Sequence, residues 1–343
     1  MMPRDAMLKA FLREGPPPAG GYSTLVEAAT AALQSEAPDT RPATTGGQPG
    51  GQPGGLIMLE KELPVIIVPD LHARRGFFIS LMESRQPGGG TVMEALDEGS
   101  LQVLCLGDGF HAEARARDRW KAAYAEYTGF YHEHAAMDQE MGESMGLMEM
   151  VMLAKTSFPR YFHFLKGNHE NVLNEEGQGN HPFRKFVQEG DMVYAYLDAL
   201  YGRDFIQAYA AFEKSLPLFA VGGRFLASHA EPARPYTIEE LVNAPLLPEV
   251  ILGLTWTDNG AAEPGSVRTL LSRLLPGQDS PRFLTGHRTI PGLYRERSDG
   301  YHLQIHNPNR YVVAWAMPGR DLEPEFDIGE IRDLGPAIAK ASF

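Results

Sequence analysis

Cysteine is almost missing from this chain. A single residue, Cys105, stands among 343, which excludes an intramolecular disulfide and fits a reducing compartment. It lies inside the apolar run LQVLCLGD, where a buried filler is expected rather than a reactive thiol. Long apolar runs are missing too. No segment approaches the roughly 18 residues of a membrane span, and the amino-terminal MMPRDAMLKAFLREGPPPAG lacks the continuous apolar core of a signal peptide. Positive charge is scarce: 31 Lys+Arg face 44 Asp+Glu, a formal charge of −13. That excludes the broad basic footprint that a nucleic-acid polymer or an anionic membrane requires, while leaving room for a local basic pocket. The expectation is a soluble, cytoplasmic protein with neither as partner, and nothing in the sequence sets its oligomeric state.

At 43% hydrophobic residues the chain can bury one large core or two ordinary ones. Residues 37–55, APDTRPATTGGQPGGQPGG, hold a short GGQP repeat and little that could pack, which predicts a flexible linker or surface excursion. Ahead of it, YSTLVEAATAALQSEA has helical spacing with Ser23 as a plausible N-cap, so the first 36 residues are expected to form helices that pack on the main body. The division expected is therefore 1–55 as helices plus a Gly/Pro-rich linker, and 56–343 as the main domain. In that domain apolar strand candidates alternate with helical stretches, an α/β signature. The candidates are LPVIIVPD, LQVLCLGD, RYFHFLKGN, GRFLASHA, SPRFLTGH, YHLQIH and RYVVAWAM. The last two, joined through Asn307, Pro308 and Asn309, read as a hairpin. A Met-rich helical insertion is expected over about 113–157, its methionines packing in a core. His132 and His134 within it read as solvated or structural.

The stretch LKGNHE, 165–170, sets glycine and then poorly burying side chains behind the apolar RYFHFL. A core strand ending this way opens onto a loop at its carboxyl end, where ligands bind in α/β sheets. The pattern recurs. Asp70 and His72 in VPDLH, Asp108 in LGDG, Asn168 and His169 in GNHE, His229 in SHAE and His287 in TGHR all close apolar runs. Carboxylate, imidazole and amide oxygen suit borderline divalent ions such as Mn, Fe or Zn. An aspartate shared by two such ions would hold them roughly 3.5–4 Å apart, the spacing that clamps a phosphoryl group.

These blocks, Asp70-Leu71-His72, Gly107-Asp108, Gly167-Asn168-His169-Glu170, His229 and Gly286-His287, resemble in kind and order those of the calcineurin-like metallophosphoesterase superfamily. The resemblance covers about residues 64 to 317. It implies a pair of mixed β-sheets sandwiched between helices, here with helical additions, and two divalent metal ions at the strand ends. By the same resemblance Asp70 and His72 would hold the first ion, Asp108 would bridge, and Asn168, His229 and His287 would hold the second, with His169 as general acid. Within the superfamily the pattern is most similar to the serine/threonine phosphoprotein phosphatases. Many other branches carry G-H-x-H, whose second histidine completes the first ion's shell; here the run is Gly286-His287-Arg288-Thr289. The stretch LTWTDN, 254–259, is similar to a Trp-Ser-Asp stretch of that branch.

One departure bears on substrate. The phosphoprotein phosphatases read G-D-x-x-D-R-G, where the later Asp orients the catalytic histidine and the Arg holds phosphate, whereas this chain has His111 and Ala112 there. His111 or Glu113 is left to orient His169. Arg115 or Arg117 could approach the ions, and Arg115 and Arg268 are the first candidates for phosphate contact, with Arg74 and Arg288 behind them. Glu170 is expected to support its loop by hydrogen bonding. Three functions follow: a serine/threonine-type phosphomonoesterase acting on a phosphorylated substrate, a nucleotide-directed metallophosphoesterase, or a fold that has lost catalysis and only binds. Every ligand position and His169 are present, which favours an enzyme using water activated between two ions.

Overall fold

A computed structural model describes residues 3–46, 51–86 and 89–331. Two sheets face each other. The first runs in the order β11-β10-β2-β3-β4, from β2 (Val65–Val68), β3 (Gln102–Cys105), β4 (Phe162–Phe164), β10 (Val312–Ala316) and β11 (Ile328–Glu330). The second runs β1-β5-β6-β7-β9-β8, from β1 (Leu56–Met58), β5 (Phe219–Val221), β6 (Phe225–Ser228), β7 (Arg282–Thr285), β8 (Arg295–Arg297) and β9 (His302–Gln304). Both mix parallel and antiparallel pairs. β2, β3 and β4 are mutually parallel, as are β6, β7 and β9.

Alternation along the strands builds the layers. Ile67, Leu104, Ala227, Leu284 and Leu303 meet between the sheets, while Ile66, Val68, Val103 and Cys105 face helices on the outer side of the first sheet. Those helices are α1 (Pro3–Leu12), α2 (Ala19–Gln34), α3 (Arg75–Glu83), α4 (Val92–Asp97), α5 (Arg117–Thr128), α6 (Ala135–Ser157), α7 (Glu189–Leu200) and α8 (Arg203–Lys214). On the other side Phe219, Leu226 and Phe283 pack on α9 (Ile238–Val242), α10 (Pro248–Thr255) and α11 (Ser266–Leu274), with short α12 (Pro324–Asp327) near the end. The architecture expected from the sequence, two mixed sheets between helices, is the one observed. Met137, Met141, Met145 and Met148 of α6 are fully buried, and so is Cys105, whose thiol burial pushes up. No described helix is long and apolar enough to cross a membrane.

Three local expectations fail. β9 and β10 form no hairpin but belong to opposite sheets, β9 beside β7 and β8, β10 beside β2 and β11. The Asn307-Pro308-Asn309 turn instead carries the chain across the sandwich, its backbone and side chain taken up by Arg74 Nη1 (3.0 Å to Asn307 O) and Gly292 O (2.9 Å from Asn307 Nδ2). Ser23 is not an N-cap: α2 opens behind Pro18, which sits in extended backbone, and the Ser23 hydroxyl donates to Ala19 O one turn back.

The third concerns residues 37–55, which are not a free linker where described. Thr44 N donates to Gln52 O (2.8 Å) and Gly54 N to Pro42 O (2.9 Å). Arg41 is buried, donating to Gly54 O and Ser215 O at 2.7 Å each and pairing with Glu36 at 2.8 Å. Glu36 also takes Lys155 of α6, with His163 of β4 at 3.8 Å. Met7, Tyr22, Val26 and Leu33 of α1 and α2 join the main core. The Arg41 guanidinium is enough to hold residues 37–55 onto the body, which the Gly/Pro composition concealed, whereas the packing of α1 and α2 is the one expected.

Candidate dimetal site

Six strands end at one place. β2 leads to Asp70 and His72, β3 to Asp108 and β4 to Asn168 and His169 from the first sheet; β6 leads to His229, β7 to His287 and β9 to His306 from the second. Backbone donors fix the carboxylates. His287 N donates to Asp70 Oδ1 (3.0 Å) and His169 N to Asp108 Oδ1 (2.9 Å). Close approach explains two glycines of the motifs: a Cβ on Gly286 would stand 1.7 Å from Asp70 Oδ1, and one on Gly167 would stand 2.2 Å from Asp108 Oδ1. Glu170 does the supporting work expected of it, accepting from the backbone N–H of Gly167 (2.6 Å), Gly109 (2.8 Å) and Asp108 (3.0 Å), so the two loops are tied together.

Asp108 Oδ2 then faces His229 Nε2 at 3.3 Å and both His72 Nε2 and His169 Nε2 at 3.8 Å. To one side Asn168 Oδ1 lies 2.9 Å from His229 Nε2 and 2.9 Å from His287 Nδ1. Ligand atoms on adjacent corners of one ion, with bonds of about 2.1 Å, stand about 3 Å apart. To the other side Asp70 Oδ2 lies 3.6 Å from His72 Nε2 and 3.9 Å from His306 Nε2. The structure thus brings together all six residues expected to hold ions, and it adds His306. The sequence held the signal for it, an apolar strand closing on histidine, but the expected hairpin directed that strand elsewhere.

The donor set fits two divalent ions on physical grounds. His229 turns Nδ1 to Leu106 O (2.9 Å) and Nε2 to two further oxygens. A neutral imidazole donates only once, so one ring nitrogen confronts oxygen lone pairs unless a proton or a metal ion lies between. Burial opposes a charged His229 ring, yet Asp108 and Asp70 raise it to about 9. Asp108 is held well below the usual carboxylate range; burial works against this, and His229 and His169 outweigh it. His306 is fully buried with no hydrogen-bond partner at either ring nitrogen among the described residues, and burial pushes it down to about 3. A neutral, unpartnered imidazole beside a carboxylate is the form a metal ligand takes.

Backbone strain concentrates here. His72, Asp108 and His287 have φ of 41°, 53° and 60°, and His111 and Glu113 have 67° and 48°. Each such left-handed residue costs of order 1 kcal/mol and persists where the surroundings dictate it.

His111 meets His169, Nδ1 to Nδ1 at 2.7 Å, while Phe183 lies against both rings at centroid distances of 4.3 and 4.0 Å. Of the two orienting candidates, geometry brings His111 to His169. Glu113 forms no hydrogen bond to His169 among the described residues; its carboxylate lies 3.9 Å from His72 Nε2 and 2.6 Å from Lys185 Nζ, in one compact group with His72 and His169. The arginines fare differently. Arg268 pairs with Asp299 and covers Tyr301 ahead of β9, at the opposite end of the parallel strands, so it does not join the site. Arg74 is buried and spent on the carbonyls of Asp70, Leu71, Asn307 and Arg310. Arg115 donates to His72 O (3.1 Å) and pairs with Glu143 (2.5 Å). Arg117 lies over the Phe186 ring, and Arg288 pairs with Asp258 of the LTWTDN stretch. His132 is exposed, and among the described residues the His134 ring bonds only Asp138.

No protein-family model matches the chain, and no curated protein matches it in sequence. Solved structures do. A protein serine/threonine phosphatase from Saccharomyces cerevisiae, described as similar to human phosphatase PP5, aligns over 88% of this chain and 84% of its own at 13% identity and a TM-score of 0.52. The chain has the calcineurin-like metallophosphoesterase fold. A cold-active protein-tyrosine phosphatase of a psychrophilic Shewanella also aligns, over 82% of this chain and 81% of its own, at 13% identity and a TM-score of 0.49. At 13% identity the likeness to the Saccharomyces cerevisiae structure establishes the fold alone.

Proposed function

We propose that the protein is a metal-dependent phosphoric ester hydrolase, a phosphomonoesterase of the serine/threonine phosphatase type. The observation that carries this reading is the single carboxylate Asp108 standing between two ligand groups, Asp70/His72/His306 and Asn168/His229/His287, with the His169 ring beside it. Two divalent ions on this donor set, with manganese the first choice and iron or zinc as alternatives, would activate water and neutralise the phosphoryl oxygens. The chain's own residues do the rest. Asp108 ties the two halves, and Asn168 and His229 fix the second. The contact between His111 and His169 requires one ring to donate and the other to accept. With His111 accepting from Nδ1, a His169 ring protonated on both nitrogens holds its Nε2 proton toward Asp108 and the reacting centre, and delivery of that proton to the leaving alkoxide leaves a neutral ring.

A nucleotide-directed esterase is the second reading. What favours it is His306, which gives the first group three ligands besides Asp108, as in the branches outside the phosphoprotein phosphatases. The experiment is a hydrolysis panel of p-nitrophenyl phosphate, its bis ester, a phosphothreonine peptide and a dinucleoside tetraphosphate, with manganese and with chelator. The first reading expects the monoesters to lead and chelator to abolish turnover; preference for the bis ester or the dinucleotide supports the second, and no turnover with any ion would reject both.

A further inference from the structure

Loss of the motif arginine at Ala112 leaves the phosphate side of the site without its cation. Ala112 is fully buried and its N–H donates to Glu140 Oε1 (2.8 Å), so no neighbouring side chain simply takes its direction. Arg268 lies at the far end, Arg74 is consumed by carbonyls, Arg115 is taken up by His72 O and Glu143, and Arg288 pairs with Asp258. One cation differs. Lys185 reaches Glu113 with Nζ 2.6 Å from both carboxylate oxygens. Glu113 in turn lies 3.9 Å from His72 Nε2, and its carboxylate shares one compact group with His72 and His169. Lys185 is therefore two contacts from the proposed first-ion ligands and one residue cluster from the proposed general acid.

The loop that carries it is pinned rather than loose. Glu189 accepts from the backbone N–H of Lys185 (2.9 Å) and Phe186 (2.6 Å), and Phe183 lies against the His111 and His169 rings. Glu113 reaches Lys185 from a left-handed backbone, φ 48°, at the position where the family block carries glycine. An ammonium has three donors, and two oxygens of one carboxylate leave capacity for a ligand on the open side, where the Lys185 side chain is 41% exposed. Charge agrees. Two divalent ions exceed the two ligand carboxylates by two charges, and the Glu113–Lys185 pair adds none, which matches a phosphate monoester carrying up to two negative charges.

We propose that Lys185, steered by Glu113, is the cation that binds the substrate's phosphoryl oxygens in place of the missing motif arginine. This rests on the phosphomonoesterase reading above. A lysine here acts as a movable point charge, without the fixed bidentate fork of an arginine, and the device trades that fork for reach from a second loop.

The test uses the full chain loaded with manganese, in wild type, Lys185→Met and Lys185→Arg. Metal content is read by elemental analysis, inorganic phosphate binding by calorimetry, and KM and kcat on p-nitrophenyl phosphate. The expected result is two ions in every form, and phosphate affinity and kcat/KM lowered roughly ten- to a hundredfold in Lys185→Met, the range for losing a hydrogen bond to a charged group, with most of it restored in Lys185→Arg. Unchanged phosphate affinity and KM in Lys185→Met would overturn the assignment, as would loss of an ion from that variant. A wild type that is metal-loaded yet neither binds phosphate nor turns over the ester would fail the phosphomonoesterase reading itself and the assignment with it.

Discussion

Two buried polar clusters in this molecule both set carboxylate beside imidazole and end in opposite states. Beneath the first sheet, Glu36 is enclosed by Arg41, Lys155 and His163, so one anion is surrounded by donors and the charges are answered from within. At the strand ends, Asp70 and Asp108 converge with four imidazoles and an amide oxygen, and among the described residues no lysine or arginine pairs with either carboxylate. The first cluster is closed and the second is open toward a cation. Strain follows the same division: His72, Asp108 and His287 are left-handed, while Glu36, Arg41, Lys155 and His163 are not among the positive-φ residues. Burial and charge alone do not distinguish a structural network from a site; the presence or absence of an internal counter-charge does.

Removing the centre of the open cluster should have the largest effect. Asp108→Asn is expected to retain at most one ion and to lose activity by more than the roughly 10²–10³-fold that a single transition-state donor is worth. His306→Ala should lose an ion from the first position alone. Elemental analysis after manganese reconstitution checks both, and two ions in His306→Ala would remove that residue from the ligand set.

His169→Asn leaves every proposed ligand in place. It should keep two ions and lose roughly 10²–10⁴ in kcat, the range for a general acid. The loss should be larger on a phosphothreonine peptide, whose alkoxide needs a proton, than on p-nitrophenyl phosphate. An equal loss on both would make His169 a positioning group, and loss of metal would make it a ligand.

The closed cluster responds through stability instead. Glu36→Gln leaves Lys155 and Arg41 buried without their anion and should cost about 3–5 kcal/mol, read as a lowered thermal midpoint with the metal content of the folded protein unchanged. Its pH dependence has a definite sign. Burial opposes the Glu36 charge, but His163, Lys155 and Arg41 hold its carboxyl below the ordinary range. The stability it contributes is therefore full above the unfolded carboxyl's value of about 4.3 and is lost as pH falls through the folded one. The gap between wild type and Glu36→Gln should narrow below about pH 4. Lys155 and Arg41 are themselves pushed down by burial, so the cluster stabilises through the loss it would suffer when broken more than through any net gain over apolar packing.

What could be read from the sequence followed the same line between local and long-range causes. Strand ends closing on Asp, His or Asn are local patterns, and Asp70, His72, Asp108, Asn168, His229 and His287 were all recognisable from them. Met137 to Met152 in the core followed from helical spacing. Which sheet a strand enters is not local: only seven residues, 305–311, separate β9 from β10, yet the turn between them crosses the sandwich, and His306 was lost to view with it. Arg268 was a candidate because an arginine fork suits phosphate, but its distance from the site is set by the direction of β7 and β9, which no spacing reveals. The packing of residues 37–55 depends on Arg41 finding Ser215, 174 residues away.

The smallest effect expected is the most specific to this chain. In the family block an aspartate faces the catalytic histidine, and a carboxylate there favours the charged imidazolium. His111 can only orient: burial pushes it down to about 3, so it meets His169 as a neutral ring across 2.7 Å. The proton on His169 is then aimed without the support of a negative charge, and delivery should be weakest where the leaving oxygen is most basic. His111→Asp restores the carboxylate at the same backbone position. It should raise turnover of the phosphothreonine peptide by a few-fold and leave p-nitrophenyl phosphate, whose leaving group needs little protonation, close to unchanged. Equal change on the two substrates would show that His111 acts by packing against Phe183 and His169, and that the exchange of aspartate for histidine does not set substrate preference.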